Sequence, residues 1–295
     1  MLSSPLANPL FPTAVATVGG LLLAGLAGLA ASGAGWDGTL AARWRSWAAI
    51  ALLYGTAALA GPAAAALLAA AVALQGAREY GRLAGLGRAD RVLPLGAAVG
   101  LPAVGLLAGR EALYGAAVFA ALVATLPALL EDDAERAGPR IAGAVFGVLY
   151  PPLALAHLVL IAAAPRGGAG LLLALGLAVA LSDVGAYLAG RAFGRAPLAP
   201  RLSPAKTRQG LLGNLAGALI GVWLFAPHLA IPTVPLALVV AAGAVWGDLL
   251  ESALKRSAGV KDSGGWLPGF GGLLDRIDSL LVAAPLVYLA LAVWP

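Results

Sequence analysis

This chain of 295 residues is 61% hydrophobic and 11% charged, against about 25% charged residues in soluble domains, and its mean hydropathy of +0.90 excludes a soluble enzyme. The net charge of +5 raises the question of nucleic acid, but the Lys and Arg residues follow membrane sidedness and form no tract, so nucleic acid is not an expected partner. The chain has no cysteine, which excludes disulfides and thiolate chemistry.

Apolar segments fall at 14–34, 47–60, 62–76, 93–108, 112–130, 141–164, 168–190, 211–226, 232–250 and 279–294. They predict an all-α, polytopic integral membrane protein of nine or ten transmembrane helices, several of them shorter than the ~20 residues that span a bilayer unaided. The first segment follows LSSPLANPLFPT with no basic run before it, which predicts a retained span over a cleaved signal. Cytoplasmic loops retain Lys and Arg. If 251–278 is cytoplasmic, alternation puts seventeen of the nineteen basic residues on that side and leaves Arg110 and Arg166 on the other. The expectation is a multi-pass protein of the cell (inner) membrane, with its active site on the cytoplasmic face and both termini away from it.

The first half, 1–165, reads as scaffold. Small residues in GLLLAGLAGLAASGAG suit close helix contacts. In AREYGRLAGLGRADR (77–91), Arg78, Glu79 and Arg82 fit either a lipid headgroup or snorkelling interface anchors. The acidic run Glu131, Asp132, Asp133 and Glu135 reads as a solvated loop before a metal site. No repeat or inverted pair appears, which weakens a transporter reading without removing it. His157 and His228, the two histidines, read as structural.

The second half, 166–295, carries the polar clusters and reads as the catalytic region. In LSDVGAYLAGRAFGR, Ser182 and Asp183 interrupt an apolar helix; a membrane-embedded Asp costs about 2.5–3.5 kcal/mol on insertion scales, so the default is a functional residue facing a polar cavity. LAPRLSPAKTRQG (198–210) places Ser203, Lys206 and Thr207 in a Pro-interrupted loop that fits either phosphate binding or a plain basic loop. In WGDLLESALKR, Asp248, Glu251, Ser252 and Lys255 stand at i, i+3, i+4 and i+7, one polar stripe on a helix. After the Gly-rich KDSGGWLPGFGG, Asp275 and Asp278 are three apart at the start of the last helix, where both can point at one ion.

Asp248, Asp275 and Asp278 brought close would repel without a cation. Mg²⁺ takes one or two carboxylates together with substrate phosphates and water, and Lys206, Lys255, Arg256, Lys261 and Arg276 complement a triphosphate. Carboxylates, metal and surrounding cations are the layout of phosphoryl or nucleotidyl transfer.

The run from Ser252 to Asp278, SALKRSAGVKDSGGWLPGFGGLLDRID, closely resembles the signature of phosphatidate cytidylyltransferases, the CDP-diacylglycerol synthases; SDVGAYLAGRAFGR, SPAKT and GDLLES precede it in the family's order. The resemblance is strong over about 180–280, and before that rests on hydropathy and AREYGRL. It implies conversion of CTP and phosphatidic acid to CDP-diacylglycerol and pyrophosphate with Mg²⁺, with room for a second cation. The catalytic set it implies is Asp248, Lys255, Arg256, Asp275 and Asp278, with Asp248, Asp275 and Asp278 on the metal. Asp183, Ser203, Lys206, Thr207, Ser252, Lys261, Asp262 and Arg276 would bind substrate. Expected partners are CTP, phosphatidic acid or a similar anionic lipid, and the membrane, with a homodimer admitted. Two departures stand out: Phe270 occupies the place of the family's His, and Gln209 that of an acidic residue after SPAKT. Phe can neither transfer a proton nor bind a metal. A paralogue acting on another phosphorylated lipid, a CTP-dependent lipid kinase, and a non-enzymatic transporter or lipid scaffold are the alternatives.

Overall fold

In hydrocarbon a backbone must satisfy its own N–H and C=O groups, so a chain this apolar is confined to helices or a closed barrel. The computed structural model describes residues 3–33, 38–165, 167–266 and 271–294, and they are overwhelmingly helical. Phe11–Ala14 (α1) passes through a π-helical turn, Val15–Gly19, into Gly20–Ala31 (α2). Thr39–Ala60 (α3) and Pro62–Leu83 (α4) meet at Gly61, whose φ of 95° suits glycine. Pro62 then opens α4 at a position where its missing N–H is not needed.

Arg88–Val123 (α5) leaves helical geometry at Gly109 (φ 78°, ψ −166°), so the two segments expected at 93–108 and 112–130 are arms of one kinked element, continued by Leu126–Leu130 (α6). Asp133 caps Ala134–Val148 (α7) by accepting from Arg136 N. A π-helical turn, Leu149–Leu153, carries Pro151 and Pro152 and leads into Ala154–Ala162 (α8). Gly168–Phe193 (α9), Gly210–Trp223 (α10), Thr233–Ser257 (α11) and Leu274–Leu291 (α12) complete the helices.

Over the described residues the apolar segments fall on these helices, and five helical stretches are long and apolar enough to cross a bilayer: Phe11–Ala31, Arg88–Leu130, Ala134–Ala162, Gly168–Phe193 and Thr233–Ser257. Leu52, Leu53, Leu67, Leu107 and Phe119 point outward, as side chains facing lipid do. The chain is an all-α polytopic membrane protein. One expectation is corrected locally. SPAKT is not a loop but strand Ser203–Thr207 (β2), paired antiparallel with Pro197–Ala199 (β1) in the register Pro197↔Thr207 and Ala199↔Ser203. The residue before a proline is pushed toward extended geometry, and the Pro200–Leu202 turn lets the two extended pieces pair.

Close glycine contacts against backbone lie in the second half. A Cβ at Gly213, Gly217 or Gly221, one turn apart on α10, would collide with Gly185, Leu181 or Ala178 of α9. Van der Waals contact between small residues of this kind drives helix association in lipid. In the glycine-rich α2, by contrast, Gly20 and Gly28 meet no neighbour and only Gly25 touches Trp44. Composition alone did not distinguish the two. His157 is buried, its ring bonded to Leu153 O at 2.8 Å and to Tyr114 Oη at 3.1 Å, while His228 Nε2 lies 3.2 Å from Thr13 Oγ1; both tie elements together. The acidic run faces solvent: Glu131, Asp132 and Glu135 are exposed, Asp133 caps α7, and Glu131 shares Arg140 with Asp90.

Candidate functional site

Two glycines on α11 set the site. A Cβ at Gly243 would strike Ala283, and one at Gly247 would strike the Asp278 carbonyl, so α11 and α12 touch backbone to backbone. That contact brings Asp248, the next residue on α11, to the same level as Asp278 on α12. The polar stripe on α11 forms as its spacing predicts: Ser252 Oγ lies 3.5 Å from Asp248 Oδ1, and Lys255 forms an ion pair with Glu251 one turn back.

Lys255 has a second carboxylate partner. Its Nζ donates to Asp275 Oδ1 at 2.6 Å. The other oxygen of Asp275 accepts from Ser263 N at 2.9 Å and from Gly272 N at 2.8 Å, with Ser263 Oγ also at 2.8 Å. Asp275 is therefore fully engaged by protein donors. Gly272 is needed there, since a Cβ on it would collide with Ser263 Oγ and Glu79. Gly271, with φ 86°, makes the turn that aims the Gly272 N–H.

Glu79, from α4 in the first half, is completely buried. Its Oε1 accepts from Leu273 N at 3.1 Å and Gln75 Nε2 at 2.9 Å, and its Oε2 from Leu274 N at 2.7 Å. Ser263 Oγ lies 3.2 Å from Oε2 and has one proton to share between Glu79 and Asp275. The first N–H groups of a helix lack intrahelical partners. α12 has no capping side chain of its own, and Glu79 supplies one from across the fold. Neither reading open for Glu79, a headgroup contact or a snorkelling anchor, describes it, because its carboxylate faces inward.

Beside this cage lies a second group of charges. Asp278 is 8% exposed and experiences the negative charges of Asp248, Glu251 and Asp183. Its Oδ1 accepts from Ser279 N at 2.8 Å. Asp183, on α9, experiences Asp248 together with the positive charges of Lys206 and Arg276, and lies 3.5 Å from Ser279 Oγ. Lys206, from β2, forms an ion pair with Asp248. Tyr150, in the π turn before α8, is buried among Asp278, Glu251 and Asp248, and its hydroxyl has no hydrogen-bond partner among the described residues.

The remaining expected residues divide. Thr207 Oγ1 accepts from Gly210 N at 3.1 Å and caps α10, while Ser203 opens β2 half-buried. Arg256 donates to the Leu202 and Val260 carbonyls at 3.3 and 3.2 Å, joining the hairpin turn to the end of α11. Lys261 and Asp262 are exposed. Gln209 Oε1, in place of the family's acidic oxygen, accepts from Arg195 N at 3.0 Å and Ala196 N at 3.4 Å, a task that needs no charge. Phe270 lies outside the described residues. Sequence reasoning gave no role to Ser263, Ser279 or Tyr150. Ser263 was the accessible one, as the only hydroxyl in KDSGG.

The charges do not balance. Among the described residues Asp183, Asp248, Glu251, Asp275 and Asp278, with Glu79 joined to Asp275 through Ser263, outnumber Lys206, Lys255 and Arg276. Buried charge without compensation is costly, so a surplus of carboxylates favours a compensating cation. Among the described residues no three His, Cys, Asp or Glu side chains converge on a single ion. Asp248, Asp275 and Asp278 are thus not assembled as one ligand set; Asp275 is turned to Lys255, Ser263 and Gly272. A cation here would take two carboxylates and draw its other ligands from substrate and water, the habit of Mg²⁺.

Fold and site together define a polytopic helical membrane protein with a buried carboxylate and lysine centre. Residues 41–294 match the model of the cytidylyltransferase family, and the chain belongs to that family. It is 35% identical over 210 residues to a phosphatidate cytidylyltransferase of Mycobacterium leprae, covering 65% of each chain. Over 232 residues it is 38% identical to that of Pseudomonas aeruginosa, covering 75% of this chain and 84% of the other. With the phosphatidate cytidylyltransferase of Brucella suis it shares 50% identity over 112 residues, 37% of this chain and 42% of the other. The chain thus spans between about two fifths and five sixths of the relatives it matches, and less than two thirds of the M. leprae and B. suis proteins.

Proposed function

We propose that this protein is a membrane-bound cytidylyltransferase that converts CTP and phosphatidic acid to CDP-diacylglycerol and pyrophosphate, for phospholipid biosynthesis. The observation that carries the reading is the charge imbalance around Asp183, Asp248 and Asp278, flanked by Lys206 and Arg276. A phosphatidate oxygen attacks the α-phosphorus of CTP, the bond to the β-phosphate breaks, and pyrophosphate leaves with the electron pair. The phosphate nucleophile is already anionic at neutral pH, so no general base is required; positioning and charge neutralisation supply most of the rate. Lys206 and Arg276 would neutralise phosphate oxygens, and Lys255 fixes Asp275 and hence the start of α12. Mg²⁺ would be held by Asp248 and Asp278 with the substrate phosphates, where it would supply Lewis-acid neutralisation of the developing charge.

The same reading places the site on the cytoplasmic face of the inner membrane, supported by the seventeen-to-two distribution of Lys and Arg. A homodimer remains compatible with it, and nucleic acid plays no part. Phe270 in place of the family's His favours a second reading, the same transfer to another phosphorylated lipid. One assay separates them. Purified protein is incubated with labelled CTP, Mg²⁺ and either phosphatidic acid or a panel of other acidic lipids, with Asp278→Asn as control. CDP-diacylglycerol from phosphatidic acid supports the first reading and a CDP-lipid only from another acceptor the second; no CDP-lipid from any acceptor overturns both.

A further inference from the structure

Glu79 turns inward to hold α12, but its neighbours Arg78 and Arg82 turn the other way. One helical turn apart on α4, they line a cavity of about 540 Å³ with Arg91 of α5, Gln75, Gly265 and Trp266. Neither Arg78 nor Arg82 makes a hydrogen bond or ion pair among the described residues. Among the described residues Arg91 uses only its Nε, on Leu86 O at 2.7 Å. The carboxylates nearest in sequence are committed elsewhere: Glu79 to the backbone of α12, and Asp90 to Arg140 at 2.9 and 3.0 Å. Three guanidinium groups therefore face one concavity whose lining contains no acid. Snorkelling explains an arginine at a membrane interface, but it does not require several to converge on a cavity shared with the segment that carries Ser263.

That sharing is specific. Gly265 and Trp266 belong to the segment whose Ser263 binds Asp275, and Gln75 bonds the same Glu79 oxygen that accepts from Leu273. An anion in the cavity would sit one wall away from the carboxylate cage. Guanidinium forks match phosphate oxygens in paired hydrogen bonds. We propose that the Arg78–Arg82–Arg91 cavity is a binding site for a terminal phosphate group, delivered either by the headgroup of an anionic lipid or by the phosphate chain of the nucleotide. The proposal rests on the cytidylyltransferase reading for the identity of those two sources.

Kinetics and binding test it separately. Arg78 and Arg82 are exposed, so Arg78→Ala/Arg82→Ala leaves the fold intact, which an unchanged Tm verifies. Each lost charge-assisted bond should weaken binding about tenfold, raising KM for one substrate with kcat little changed. A rise in KM for phosphatidic acid assigns the lipid headgroup; a rise in KM for CTP assigns the nucleotide. Arg78→Lys/Arg82→Lys should recover part of the loss. Inorganic pyrophosphate titrated without Mg²⁺ should raise the Tm of the unmutated protein more than that of the double alanine variant, a comparison that requires no turnover. If the unmutated protein makes no CDP-lipid, the functional reading fails and the pyrophosphate arm still decides the cavity. Unchanged KM values for both substrates, with equal stabilisation of both proteins by pyrophosphate, would overturn the proposal; without turnover, equal stabilisation alone would do so.

Discussion

Asp275 and Asp278 stand three residues apart on α12 and occupy opposite electrical surroundings. Asp275 accepts from Lys255, Ser263 and Gly272, so its charge is met by the protein itself. Asp278 faces Asp183, Asp248 and Glu251. A carboxylate with dedicated donors holds structure together, whereas one held among like charges stores repulsion that an incoming cation or substrate relieves. Equal spacing on a helix therefore does not mean equal work, and the protein separates support from chemistry within a single turn.

The largest expected effect removes the support. Asp275→Ala leaves Lys255 buried without one of its two partners and should cost about 3–5 kcal/mol of stability, measurable as a large fall in Tm. Asp278→Asn should do the reverse. Turnover should drop about 10²–10³-fold, the scale of losing one transition-state electrostatic contact, while Tm stays level or rises because a repulsive charge is gone. Glu79→Gln tests whether the support extends to α4. Exchanging an acceptor for a donor should cost about 1–3 kcal/mol and lower kcat, with KM for CTP little affected. Ser263→Ala is the mildest, about 1 kcal/mol, because the Ser263 N–H still reaches Asp275. Tm and kcat measured on all four sharpen the comparison; a Tm loss in Asp278→Asn as deep as in Asp275→Ala would break it.

Much of this was legible in the sequence. The α11 stripe followed from its period, since Asp248, Glu251, Ser252 and Lys255 can only share a face if the segment is helical. The helical membrane class followed from composition. The hairpin did not, because its β2 strand, SPAKT, carries no strand periodicity and is held by pairing with Pro197–Ala199. Nor did the partner of α12, because Glu79 lies 194 residues before Leu273 and no local pattern encodes such a contact. Asp275 and Asp278 were read as one ion site because spacing fixes the face of a helix but not the direction of a carboxylate. That direction is set by Gly272 and Ser263, residues whose side chains are small or absent.

The division of labour on α12 is tested most directly by the Mg²⁺-dependent rise in Tm of the detergent-solubilised protein in the presence of CTP, compared among the unmutated chain, Asp278→Asn and Asp275→Asn. The unmutated chain should gain stability; Asp278→Asn should begin at least as stable and gain almost nothing; Asp275→Asn should begin lower and keep most of the gain. If Asp275→Asn abolishes the Mg²⁺ effect and Asp278→Asn retains it, the roles assigned to the two carboxylates are reversed and the account is wrong.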